Sequence, residues 1–247
     1  MQVEKFRDLT LIEHTADKLL VIACDSCGGI GSKENDVLKV PPEIVGYYTA
    51  RVALMEVLSV GAEVLTVIDT LSVEMESTGR RIVQGIEGLL EEAEIQAVCL
   101  NGSTEENIQT SQTAMGITII GEVEKASIKV KTSSKGNQVV LLGIPKVGSE
   151  LNLPFDEEIC SIEDLRKLLS IEEVNEIYPV GSKGIFYEAK YLGDSNGCLF
   201  KVVGEPPVDM NKSAGPATAV IFTIEAKNFS AVEKKVKKPL QIIGELI

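Results

Sequence analysis

Short aliphatic runs alternate with longer helical stretches along the first half of this chain. Leu19 to Ala23 is a run of five apolar residues and reads as a buried strand ending at an acid, Asp25. Val37 to Val40 is a shorter strand, stopped by Pro41 and Pro42. From Gly46 to Val60 the apolar residues cover most faces, which predicts a buried helix with Arg51 and Glu56 as its internal charges. Buried charges are costly unless paired or ligating, so Glu56 is either half of an ion pair or part of a site. Val64 to Ile68 is a strand closed by a second acid, Asp69. Thr78 to Ala93 has a helical period, with Ile82, Ile86, Leu89 and Leu90 on one face. Ala97 to Leu100 is a third strand, followed by the polar run Asn101 to Asn107, and Met115 to Val123 is a fourth. Residues 1–18 are polar and mixed, an arm or edge segment.

Composition shifts at Lys125 to Asn137, which is rich in Lys and Ser, and a domain junction is placed there. It separates an N-terminal domain, 1–130, from a C-terminal domain, 131–247. The second domain opens on a strand, Val139 to Ile144. Ser161 followed by Asp164 before Leu165 is a helix-start signature. The Gly181 to Gly184 loop leads into a helix at Ile185. Asn211 to Gly215 leads into a strand ending near Ala226. A Lys-bearing helix (Lys234, Lys235, Lys237, Lys238) and a final strand from Leu240 close the chain.

Charge narrows the partners. The 247 residues carry a net charge of −13 with 44% hydrophobic and 4% aromatic residues, which argues against nucleic acid or an anionic membrane as partner. The opening MQVEKFRDLT lacks a signal-peptide core, and no apolar run reaches the ~18 residues that span a bilayer. Five cysteines, at 24, 27, 99, 160 and 198, make no disulfide framework. A cytoplasmic location is expected. Cys24 and Cys27 form a C-x-x-C, but without a second such pair or a Cys/His set it reads as two small residues beside a loop. His14 is the only histidine, and nothing nearby makes a nucleophilic triad with it.

The candidate chemistry follows the first strand. Gly28, Gly29, Gly31 and Lys33 form a glycine loop whose bare N–H groups suit a phosphate chain. It is neither a P-loop nor the dinucleotide G-x-G-x-x-G. Asp25, Asp69 and the Ser103 to Glu106 cluster each follow a strand, and their convergence on one sheet edge would assemble a metal–nucleotide site.

These landmarks resemble, in order, those of the AIR synthase (PurM-like) superfamily, which includes aminoimidazole ribonucleotide synthetase, thiamine monophosphate kinase and a hydrogenase maturation protein. Asp25 and its glycine loop resemble the family's first metal-binding aspartate. Glu56-Val-Leu-Ser-Val-Gly-Ala-Glu63, with Gly46 before it, resembles the Asn-Asp helix that ends in Gly-Ala-x-Pro. Asp69 falls where the cyclo-ligase branch has an aspartate. Gly102-Ser-Thr-Glu-Glu106 resembles the Gly-Gly-Asp/Glu-Thr motif. The Gly181 and Asn211 loops are looser matches. Met55 stands in place of Asn and Glu56 in place of Asp. Ser103 replaces an acidic ligand, leaving Glu105 or Glu106 as the third carboxylate. The small branch proposed as α-ribazole kinases is the most similar.

The resemblance implies an α/β (α+β) PurM-like fold of two domains, each with a mixed sheet and helices, and a homodimer whose N-terminal sheets close a shared barrel. It implies ATP and Mg2+ as cofactors and phosphorylation of a small molecule, here the 5′-hydroxyl of α-ribazole. Alternatives are a cyclo-ligase and a non-catalytic nucleotide-binding protein. The metal ligands implied are Asp25, Glu56, Asp69 and Glu106. The cofactor contacts are Asp25, Gly28, Gly29, Gly31, Lys33, Gly102, Ser103 and Thr104, and the catalytic carboxylates Asp69, Glu105 and Glu106. Tyr47, Tyr48, Phe186 and Tyr187 are the rings available to pack against the acceptor's base.

Overall fold

A computed structural model describes residues 2–206 and 208–247, and the chain divides into two units. The first comprises residues up to Leu58 with Ala62–Ser127, the second Ser59–Gly61 with Ile128–Ile247. The first runs β1 (Val3–Phe6), β2 (Leu9–Glu13), β3 (Lys18–Gly28), β4 (Ile30–Gly31), β5 (Leu38–Lys39), α1 (Pro42–Ser59), β6 (Glu63–Leu71), α2 (Arg80–Glu92), β7 (Cys99–Thr104) and β8 (Ala114–Glu124). Among the described residues six strands form one sheet in the order β1-β2-β3-β8-β6-β7. Only β6 and β7 in it are parallel. The expected arm over residues 1–18 is the β1–β2 hairpin at the sheet edge, which buries Phe6, Leu9 and Leu11.

Three strands run on past the runs predicted for them, two of them past an acid. β3 continues through Asp25 to Gly28, β6 through Asp69 to Leu71, and β7 through Gly102 to Thr104. The cause is β8. Its eleven residues pair with β3 from Lys18 to Gly28 and with β6 from Glu63 to Leu71. Ladder hydrogen bonds do not discriminate between apolar and polar side chains, so the strand outlasts the hydrophobic run.

Alternation gives the sheet two faces. Val21, Ala23, Val67, Leu71, Ile117 and Ile119 are buried on the face that the helices cover. α1 starts at Pro42, a favoured first helical residue, and is buried nearly all round. α2 buries Ile82, Gly85, Ile86, Leu89 and Leu90, the stripe predicted by its period. The two helices meet backbone to backbone. A Cβ at Gly46 of α1 would collide with the Ile82 carbonyl, and one at Gly85 of α2 with the Glu43 carbonyl.

The second unit runs β9 (Gln138–Leu142), α3 (Ile162–Leu169), β10 (Ile177–Pro179), α4 (Ile185–Ser195), β11 (Phe200–Val202), β12 (Val220–Ile224), α5 (Phe229–Lys235) and β13 (Leu240–Leu246). Its sheet, ordered β10-β12-β9-β13-β11, is antiparallel throughout where a mixed one is expected, because each connection returns its strand in the opposite direction. Ser161 caps α3 through the Asp164 N–H at 3.1 Å, and Asp164 accepts from the Ser161 N–H at 3.0 Å. The Gly181 and Asn211 loops touch: Gly184 sits at φ 82° where a Cβ would strike the Asn211 backbone, and the Ala214 N–H donates to the Gly181 carbonyl at 3.2 Å. The junction segment is hooked onto a fully buried Glu176, which accepts from the Lys131 and Ser133 N–H groups at 2.7 and 3.0 Å.

Substituting either crossing glycine should therefore be costly. Gly46→Ala and Gly85→Ala are each expected to lower unfolding free energy by about 1–3 kcal/mol, the usual cost of overpacking, while Gly88→Ala, where a Cβ meets nothing within 4 Å, should be neutral or stabilising. Urea melts of the three variants check the ranking.

Candidate functional site

Register places the two strand acids in one row. Asp25 of β3 is opposite Ile117 of β8, Ile117 is opposite Asp69 of β6, and Asp69 is opposite Gly102 of β7. Laterally paired residues project from the same face, so both carboxylates lie on the helix-covered side, two strands or roughly 10 Å apart. Asp69 is buried and Asp25 half-buried, and among the described residues neither has an ion-pair partner. Burial pushes the Asp25 carboxyl up to about 6, with the Asp8 carboxylate adding to the shift. Burial likewise raises Asp69. The site depends on Gly102, because a Cβ there would overlap the Asp69 carboxylate.

Asp69, Gly102, Ser103 and Thr104 line one cleft of about 300 Å³ at the sheet edge, with Met75, Val83, Glu87, Leu100 and Asn101. Ser103 pairs with Thr70, one residue out of step with Asp69, so its side chain leaves from the opposite face. Thr104 donates its hydroxyl to Glu106 at 2.7 Å, and Glu106 also accepts the Met75 N–H at 2.8 Å. These bonds hold the Glu106 carboxyl below its ordinary range. Glu105 accepts the N–H groups of Asn107 and Ile108, at 2.7 and 3.1 Å, and closes a turn.

Three other candidates are engaged elsewhere. Glu56 is buried against Arg7, which reaches α1 from the β1–β2 turn at φ 53°. The paired alternative is thus the one the structure realises for it. Lys33 donates to Glu74 at 2.5 Å and to the Thr110 carbonyl at 3.1 Å. That lysine, with the Thr110 N–H, drives the Glu74 carboxyl down to about 2. Gly29 takes φ 74°, and Gly31 packs against Thr113 and Asp36 at φ 154°. Asp36 holds the loop shut, accepting the Lys33 N–H at 2.8 Å and the Thr113 N–H and hydroxyl, each at 2.7 Å. Gly28 faces open space.

The C-x-x-C lies inside β3, so strand parity sends Cys24 outward and Cys27 inward, and the two cannot bond in this conformation. Burial raises the Cys27 thiol. Tyr47 donates to Glu92 at 2.8 Å and Tyr48 is buried against it, whereas Phe186 and Tyr187 are exposed.

Among the described residues no group of three or more His, Cys, Asp or Glu side chains is arranged to hold a metal ion. The donor set still fits magnesium, which is commonly held by one or two carboxylates while phosphates and water complete its shell. Sequence reasoning missed Glu74, Asp36 and Glu87. Glu74 and Asp36 lie between predicted elements and carry no local signal. Glu87 reads as one more charge on a solvated helix flank.

Residues 7–123 match the family model described as AIR synthase related protein, N-terminal domain. No curated protein matches the chain by sequence. Among solved structures, thiamine monophosphate kinase from Aquifex aeolicus is 16% identical with a TM-score of 0.67, over 98% of this chain and 89% of that one. AaThiL complexed with AMPPCP and TMP is 16% identical with a TM-score of 0.65, over 97% and 84%. E. coli HypE, a hydrogenase maturation protein, is 13% identical with a TM-score of 0.64, over 92% and 79%. Among the described residues no helix is long and apolar enough to cross a membrane. The chain has the PurM-like α/β fold of these proteins, and its N-terminal unit carries the match to the AIR synthase related domain.

Proposed function

We propose that this protein is an ATP- and magnesium-dependent kinase that phosphorylates a small hydroxyl-bearing molecule, with the 5′-hydroxyl of α-ribazole as the acceptor. The observation that carries the reading is the row Asp25–Ile117–Asp69–Gly102, two carboxylates without ion-pair partners among the described residues, of which Asp69 lines the cleft beside Gly102. The ATP analogue AMPPCP in the similar AaThiL structure supports nucleotide binding on this fold. Magnesium, when bound, neutralises charge on the phosphates, and Asp25 and Asp69, too far apart to share one ion, would each hold one along the phosphate chain. Glu105 and Glu106 are tied to backbone N–H groups, which leaves Asp69 as the carboxylate in the cleft to accept the hydroxyl proton. Lys33 contributes to phosphate binding once it leaves Glu74. The partly exposed apolar side chains Leu20, Ile22, Ile68 and Ile120 lie on the sheet's other face and support the homodimer with a shared barrel. The free cysteines fit a reducing, cytoplasmic compartment.

A second reading, a nucleotide-binding protein without turnover, is favoured by one observation: Arg7 neutralises Glu56. The test is incubation with ATP and magnesium, read by product mass. α-Ribazole is expected to gain one phosphate on its 5′-oxygen. Phosphorylation of another riboside or a vitamin precursor would keep the kinase and discard this acceptor. ADP release that requires an amidine-forming substrate would indicate a cyclo-ligase, and ATP binding without turnover the second reading.

Asp25→Asn should separate activity from stability. Activity should fall to near background. Asp25 in the parent protein contributes stability that is fully present below the ordinary carboxyl pKa of 3.8 and is lost as pH rises through about 6, because the folded state binds the extra proton. Removing that cost is worth roughly 1 kcal/mol after discounting for partial exposure. In chelator at pH 7.5 the variant should melt about 2–4 °C higher, and the loss between pH 4 and 6 should shrink. A lower melting temperature would refute the burial argument.

Cys27→Ser should leave turnover within about two-fold and be insensitive to added thiol, since its partner faces the other way. Equilibrium sedimentation should give a mass near twice 26.6 kDa. A species of 26.6 kDa at every concentration would remove the dimer.

A further inference from the structure

The cleft at the β7 edge has a second acidic wall that the reading above does not use. Glu87, exposed on α2 one turn after Val83, lines the same cleft as Asp69. Among the described residues Glu87 has neither a hydrogen-bond nor an ion-pair partner. Across from it Asp69 is only 5% exposed, has no counter-charge, and is pressed against the bare Gly102. An unpaired carboxylate that is nine-tenths buried is unfavourable in itself, and its position in the cleft is where a cation would relieve it.

We propose that Asp69 and Glu87 together hold a hard divalent cation across this cleft, so that Glu87 provides the second carboxylate that Ser103 cannot. The inference rests on the magnesium-dependent reading and names its missing ligand. Of the rival acids, Glu56 is spent on Arg7, Glu106 on Thr104 and Met75, and Glu105 on the turn at Asn107, while Asp25 stands two strands, roughly 10 Å, away. Ser103 leaves β7 from the face opposite Asp69, so even an acid at that position would point away. Thr104, on the Asp69 side of β7, offers a hydroxyl oxygen, and the volume of about 300 Å³ accommodates an ion with its retained waters. Val83 and Leu100 make the wall apolar, which strengthens the attraction between ion and carboxylates.

Manganese serves as a paramagnetic probe for the site, titrated into the full-length protein and followed by electron paramagnetic resonance without nucleotide. Glu87→Gln is expected to weaken the manganese site lost in Asp69→Asn by roughly ten-fold or more, since even groups that only orient a metal ligand are worth about 10–100-fold. The double variant should bind no worse than Asp69→Asn alone, and Glu91→Gln, an exposed acid on the same helix, should bind as the parent does. Glu87→Gln should melt at the parent's temperature in chelator, which separates ligation from misfolding. Parent-like affinity in Glu87→Gln alongside loss in Asp69→Asn would overturn this assignment and leave the kinase reading standing. No manganese bound by the parent, with or without ATP, would remove both.

Discussion

The pairing of β8 with strands on both sides is the constraint from which the site follows. β3 and β6 are far apart in sequence and do not pair with each other, yet each is registered against the same eleven-residue strand. A strand has only two faces, so a slip of one residue on either side would send one acid through the sheet. Ile117 between Asp25 and Asp69 does two jobs: it fills the core under the helices, and it sets their separation. Spacing of this kind suits carboxylates that share a phosphate chain better than carboxylates that share one ion.

The energetic character of the row is unusual for a folded interior. Several buried charges elsewhere in the described residues are compensated. Glu176 accepts several hydrogen bonds, Lys146 sits on Asp156 at 2.7 Å, and Glu56 has Arg7. Among the described residues Asp25 and Asp69 have no ion-pair partner, and burial raises both pKa values. Buried carboxylates without a counter-charge cost stability, and that cost sets Asp25 and Asp69 apart from the paired acids.

Much of the architecture was readable from residue order. The α2 stripe at Ile82, Ile86, Leu89 and Leu90, the Ser161–Asp164 cap and the buried α1 follow from periodicity and local hydrogen bonding, which are properties of short segments. Strand ends were not readable. A hydrophobic run reports where a strand is buried, while its length is set by its neighbours, so Asp25, Asp69 and Ser103 were assigned to loops although ladder bonds continue past them. The role of Glu56 depended on Arg7, forty-nine residues away, at a turn with no sequence signature. Lys33 was legible as a loop cation, but its hold on Glu74 was not. Parity, once the register is known, resolves what spacing could not: Cys24 and Cys27 part company, and so do Asp69 and Ser103.

The glycine crossing of α1 and α2 has a mechanical consequence. Gly46 and Gly85 bring main chain against main chain, leaving no side chain between the helices to compress or change rotamer. The crossing acts as a hard stop. Packing changes elsewhere in the core can tilt or slide α2 but cannot bring it closer at that point, and Glu87 lies two residues beyond it. The gap between the helix and the β7 edge is therefore gauged by covalent geometry, and side-chain variation in the lining can retune what the cleft accepts without altering its width.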